Sequence, residues 1–156
     1  MNNKGFTLIE LIMVIALLAV IALLTTPNII KLIEKNKVDN YNNAIDTIIK
    51  ATEVYVSNNK YNLDFSGQYC KPSDKSDKNI SAIIELNDLI ENKDISGEVK
   101  NHCTDSNIDN KTEIKIILNC GTRQFSYEII GNDSLKTKDK NKGLEGFKIT
   151  SCDELY

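Results

Sequence analysis

Few of the residues that carry enzymatic chemistry are present. The chain of 156 residues has a single histidine, His102, no tryptophan and two prolines. No serine is framed by glycines and no phosphate-binding loop occurs, so the common nucleophile and nucleotide patterns are missing. No C-x-x-C pair exists, which removes the usual zinc spacing. Neither sign of charge dominates: 19 basic residues face 22 acidic ones, for a formal charge of −3. That balance excludes nucleic-acid binding driven by overall charge, though not a local basic patch. Length predicts one domain plus an anchor.

What is present is a long apolar run near the start. Leu11 to Leu24 reads LIMVIALLAVIALL, without a charge or a strongly polar side chain. Extended back to Phe6, it spans about 28 Å as a helix, enough to cross a bilayer core. A cleaved secretory signal is the first competitor. Its apolar core is shorter, and no A-x-A pattern follows here. Glu10 lies within the run, where an ionised acid costs roughly 2.5–3.5 kcal/mol on insertion scales and so calls for a reason. Orientation by charge is undecided, because Lys4 precedes the span while Lys31, Lys35 and Lys37 follow it.

The beginning MNNKGFTLIELIMVIALLAVIALLTTP closely resembles the prepilin signal of type IV pilins and of the related pseudopilins of type II secretion and competence systems. The matched elements are a short polar leader with a basic residue (Met1–Gly5), Phe6 after Gly5, Thr7, Glu10, the apolar stretch and Pro27. The resemblance covers about a sixth of the chain. It implies that a prepilin peptidase cuts between Gly5 and Phe6 on the cytoplasmic side and methylates the new Phe6 amine. It also implies that the leader is inside and the C-terminal part exported. Residues 1–5 are then the leader, 6–27 the transmembrane and assembly helix, and 28–156 the exported domain. In the family the carboxylate at Glu10 is thought to meet the Phe6 amine of a neighbouring subunit during assembly. Two charges costly in lipid are best tolerated when paired. A pair between Phe6 and Glu10 of one subunit, a helical turn apart, is the alternative.

Pro27 removes a helical hydrogen bond and predicts a kink or local melting, or else the start of a separate helix. Beyond it, Val38, Tyr41, Ile45, Ile48, Thr52 and Tyr55 recur at spacings of three and four. This predicts an amphipathic helix ending near Ser57–Asn59, its stripe laid on a sheet of the same chain. Asn62 to Lys78 reads as a loop. Ile80, Ile83, Ile84, Leu86, Leu89 and Ile90 predict a short helix starting near Asn79 or Ser81, and LNDLIENKDI weakly resembles a helix-and-turn found after the long helix in many pilins. Two strands follow, around Ile114–Leu118 and Phe125–Ile129, joined by a turn at Asn119–Thr122. Gly131–Asp133 ends the second, Leu135–Gly143 is a lysine-rich loop, and Gly146–Thr150 is expected as a third strand. Helix then antiparallel meander is an α+β arrangement, and the resemblance implies the pilin fold, a long N-terminal helix packed on a small antiparallel sheet.

The four cysteines, Cys70, Cys103, Cys120 and Cys152, all follow the apolar segment, and an even number in an exported domain predicts two disulfides. Of three possible pairings the expected one is Cys70–Cys103 with Cys120–Cys152; similar bridges bound the C-terminal loop in many pilins. Each closed loop of this size is worth on the order of 3–4 kcal/mol. A zinc site from Cys70, His102 and Cys103, with or without another cysteine, is the competing reading, and adjacent His102–Cys103 is poor ligand spacing for it. No cofactor is expected.

The resemblance therefore implies a non-enzymatic structural subunit of a type IV pilus-like filament. Its partners would be prepilin peptidase, other pilin subunits, an inner-membrane assembly platform and the cytoplasmic membrane. Nucleic acid is a partner only if the chain is a competence pseudopilin. A pseudopilin of secretion or DNA uptake is the alternative function, and a membrane-tethered enzyme or metal-binding domain is the remote one.

Overall fold

The computed structural model describes residues 7–71, 73, 78–130 and 149–155. The chain divides after Asn36 into two units, and a single helix, α1 (Leu8–Asn59), contributes to both. In the first unit every described side chain from Thr7 to Asn36 is exposed. The helix neither ends nor restarts at Pro27. Proline offers no N–H, so the carbonyl of Leu23 loses its donor four residues on. The neighbouring carbonyls gain side-chain donors instead: Thr25 Oγ1 donates to Ile21 O at 3.0 Å, Thr26 Oγ1 to Ala22 O at 2.6 Å, and Asn28 Nδ2 to Leu24 O at 3.5 Å. Hydroxyls of this kind are what let proline persist in helices surrounded by lipid.

The second unit is built on the stripe. Val38, Tyr41, Ile45, Ile48 and Thr52 are buried as the spacing requires, joined by Ala51 and Val56, while Tyr55 is half-buried. The helix stops at Asn59, whose Nδ2 turns back to Tyr55 O at 3.1 Å. The sheet has three antiparallel strands: β1 (Asn79–Glu85), β4 (Glu113–Asn119) and β5 (Phe125–Ile130), with β4 in the middle. Between β1 and β4 come α2 (Leu86–Glu91) and a small hairpin of β2 (Lys100–Asn101) and β3 (Ser106–Asn107). Ile84, Ile114, Ile116 and Ile129 from the sheet share one buried cluster with the α1 stripe. This is the α+β architecture of a long N-terminal helix and a small antiparallel sheet.

Three sequence expectations are corrected. The stretch from Ile80 to Ile84 is strand, not helix; only Leu86–Glu91 is helical. Its inward residues are Ile80, Ala82 and Ile84, and all seven β1 residues pair with β4 in register, from Asn79 opposite Asn119 to Glu85 opposite Glu113. Full pairing of a β-branched segment outweighs the helical spacing of Ile80, Ile83, Ile84 and Leu86. The sheet is consequently not a meander, since its first strand reaches β4 across the intervening α2 and hairpin. The expected strand at Gly146–Thr150 lies partly outside the described residues, and its described members, Ile149 and Thr150, are not in a strand. The expected breaker at Gly131–Asp133 and the loop at Leu135–Gly143 lie outside them entirely.

The β4–β5 turn is longer than expected, running through Gln124. Asn119 Oδ1 accepts from the amides of Gly121 (2.9 Å) and Thr122 (2.8 Å), and the residue with left-handed backbone is Arg123 (φ 61), not Gly121.

Ile149 to Leu155 closes the domain as a strap. Ile149 and Leu155 are buried, and Asn42 on α1 holds the Ile149 peptide at both ends: Asn42 Nδ2 donates to its carbonyl and its N–H donates to Asn42 Oδ1, each at 3.0 Å. A side-chain amide here does the work of a strand partner. Asn42→Ala leaves both backbone groups of a buried residue unpaired. It is expected to cost about 1–3 kcal/mol in denaturant unfolding, and an unchanged midpoint would contradict the clamp.

Candidate assembly site at the start of the long helix

Glu10 opens the apolar helix, and its environment is local. Its Oε2 accepts from the Thr7 amide and from Thr7 Oγ1, both at 2.9 Å, while the Glu10 amide reaches back to Thr7 Oγ1 at 3.4 Å. This is a reciprocal capping box, in which residues three apart satisfy each other's otherwise orphaned donors. The amides of Glu10 and Leu11 also bond the Thr7 carbonyl, at 3.1 and 3.3 Å. An acid in the first turn is favoured by the positive end of the helix dipole as well. The second carboxylate oxygen, Oε1, has no partner among the described residues. The site can thus hold a carboxylate in place with one oxygen and offer the other to a cation.

Thr7 is the partner of Glu10 that the pattern of charges did not single out. A threonine followed three residues later by glutamate before an apolar run is the signal that identifies it. Gly5 and Phe6, the expected cleavage and methylation positions, lie outside the described residues. The capping box uses neither of them.

Around this site the described apolar side chains of Leu8 to Ile33 are all exposed, Leu23 to 77%. The helix is long and apolar enough to cross a membrane. Exposed apolar surface of this extent marks a surface that is covered by lipid or by protein.

The other expected sites behave differently. All four cysteines are oxidised, but the pairing is Cys70–Cys120 and Cys103–Cys152, not Cys70–Cys103 and Cys120–Cys152. The hairpin tip fixes the first bridge: the Cys120 amide bonds Lys78 O at 2.8 Å, and Arg123 Nη2 bonds Lys71 O at 2.6 Å, drawing the segment that carries Cys70 alongside. The second ties the β2–β3 turn to the strap. With every sulfur in a disulfide, Cys70 and Cys103 supply no thiolate to a metal. His102 sits half-buried in the β2–β3 turn beside Asp105. Asp105 pairs with Lys100 at 3.2 Å and Lys37 at 3.9 Å; the Lys100 contact leads in holding its carboxyl below the ordinary range.

Tyr41 is the one buried side-chain polar group without a hydrogen bond among the described residues. Burial pushes its phenol up to about 12. Burial also raises Tyr55, helped by Asp88 and Asp94, and Tyr127, helped by Glu53. A raised phenol pKa favours the fold while the group stays neutral. Stability from Tyr41 is therefore present below pH 10 and lost as pH rises from about 10 through about 12. The loss is expected to reach on the order of 2–3 kcal/mol. Tyr41→Phe should remove most of that alkaline loss, and should add about 1 kcal/mol at neutral pH by deleting an unpaired hydroxyl. Denaturant unfolding at pH 7 and pH 11 reads both effects, and a variant that is less stable at pH 7 would mean the hydroxyl has a partner.

Residues 1–26 match the family model of the prokaryotic N-terminal methylation motif, the signal of type IV pilins and pseudopilins. No curated protein and no solved structure matches the chain.

Proposed function

We propose that the chain is a structural subunit of a type IV pilus-like extracellular filament, assembled through its N-terminal helix. The observation that carries this reading is the methylation motif coinciding with a stretch of helix, Leu8 to Ile33, whose apolar side chains are all exposed. Such a helix needs a membrane first and a protein surface afterwards. The leader, residues 1–5, is removed by prepilin peptidase between Gly5 and Phe6, and the Phe6 amine is methylated. Residues 6–27 hold the chain in the cytoplasmic membrane, residues 28–156 are exported, and an inner-membrane platform then moves the subunit into the filament. There Glu10 Oε1 meets the Phe6 amine of a neighbour while Thr7 keeps Oε2. Pro27 marks the turn with a missing backbone bond, where the helix kinks most easily. The motif supports a structural role over an enzymatic one.

Deletion of the gene and immunolabelled electron microscopy test the proposal. Loss of filaments, with label along their length in the parent strain, is the expected result. Label confined to tips would make the chain a minor subunit. Intact surface filaments with lost secretion or transformation would replace the proposal with a pseudopilin role.

A further inference from the structure

The two disulfides interleave along the chain: each skips one cysteine, so no two cysteines adjacent in sequence are partners. An exported C-terminal domain emerges from Cys70 towards Cys152. The first two thiols to meet an oxidant together are Cys70 and Cys103, and these are not a native pair. Loop length does not rescue the native choice, because a doubling of loop length costs only about 0.6 kcal/mol. Time of emergence decides instead. Cys103 must then stay available until Cys152 arrives, 49 residues later.

The two bridges also differ in access. Cys120 is fully buried, whereas Cys70, Cys103 and Cys152 are each half-buried. Once the core has closed, the Cys120 sulfur is out of reach of an incoming or departing thiolate, so an exchange that uses Cys120 must precede that closure. Cys103 is meanwhile held by local structure. Its amide bonds Asn101 Oδ1 at 3.0 Å, and Ile108 N bonds Val99 O at 2.8 Å across the same short hairpin. None of these contacts requires the strap.

We propose that the exported segment is a substrate of a thiol–disulfide isomerase, which moves Cys70 from an early bridge with Cys103 to its native bridge with Cys120 before Cys103 closes on Cys152. Forming the early bridge removes two electrons and two protons from two thiols, taken up by the disulfide of an oxidase. The isomerase thiolate then attacks Cys70 Sγ, releasing the Cys103 thiolate and leaving a mixed disulfide. Cys120 attacks Cys70 Sγ in turn and frees the isomerase, with no net change in electrons. A second two-electron oxidation joins Cys103 to Cys152. Direct attack by Cys120 gives the same product but takes minutes to hours without a catalyst.

The test is to express the full chain in bacterial hosts that keep their thiol oxidase and either have or lack their disulfide isomerase. The chain is pulse-labelled, thiols are blocked with N-ethylmaleimide at successive times, and peptides are mapped without reduction. A short-lived Cys70–Cys103 peptide that gives way to Cys70–Cys120 is expected with the isomerase. Without it, that peptide should persist and the native yield should fall several-fold. In the paired variant Cys103→Ser, Cys152→Ser the competing thiol is gone, and Cys70–Cys120 should form equally fast in both hosts; the wild-type arms carry the test alone should this variant be degraded. Native bridges forming directly and equally fast without isomerase would overturn the proposal and leave the exported reading intact. The inference rests on that reading, and four free thiols in both hosts would overturn the two together.

Discussion

Replacing Glu10 with alanine is expected to leave membrane insertion and leader removal intact, and to lower incorporation into filaments roughly tenfold to a hundredfold. A hydrogen bond to a charged group is worth about 1.5–3 kcal/mol, and each 1.4 kcal/mol is a factor of about ten. Alanine removes two things at once, the charge and the cap on Thr7. Two further variants separate them. Glu10→Gln keeps an oxygen for the capping box but carries no charge, so it should fail like alanine if pairing with an amine drives assembly. Thr7→Val keeps the charge and removes the hydroxyl donor, so it should weaken the helix start and assemble better than either. Quantifying sheared filaments against the membrane-held pool reads all three. Normal assembly of Glu10→Gln would show that Glu10 serves the helix end rather than a neighbour.

Loss of the Cys103–Cys152 bridge, by serine at both positions, is the second large effect. The bridges close loops of 49 and 50 residues, so chain entropy assigns each about 4 kcal/mol. A fall in melting temperature of roughly 10–20 °C follows for a domain of this size. Because the two loops are nearly equal, comparing the two double-serine variants cancels the entropic part. What remains is the strap itself. Without Cys152, the Asn42 clamp and the burial of Ile149 and Leu155 remain to hold residues 149–155 down. Amide exchange across the strap should therefore rise in that variant and stay low in Cys70→Ser, Cys120→Ser. Equal exchange in both would show that the bridge at Cys152 is not what pins it.

The parts of this fold that sequence reveals are those set by local periodicity. The spacing from Val38 to Thr52 can be satisfied only by burying one face of a helix, and the alternation in Ile114–Leu118 and Phe125–Ile129 only by a sheet. At β1 the same rule was obscured, because Ala82 is inward but small and Ile83 is exposed. The strand is recognised by what it pairs with, and that partner lies beyond α2 and a hairpin. Disulfide pairing is less legible still. The proximity of Cys70 to Cys120 depends on where the tip of the β4–β5 hairpin meets the segment around Lys71 and Lys78, which no spacing encodes. At Glu10 the pattern was visible but doubly determined: the acid that stands out against an apolar run is also the third residue of a helix cap.

The interleaved bridges have a consequence for a chain exposed to proteases. Every peptide bond between Cys70 and Cys152 is spanned by at least one disulfide, because the two loops overlap between Cys103 and Cys120. A single nick anywhere in that stretch, including at the lysines between Leu135 and Gly143, leaves both pieces covalently joined. Pairing Cys70 with Cys103 and Cys120 with Cys152 would have left the segment between Cys103 and Cys120 uncovered, and one cut there would shed the C-terminal piece. Protein nicked once by trypsin between Cys70 and Cys152 should run as one band without reductant and as two with it.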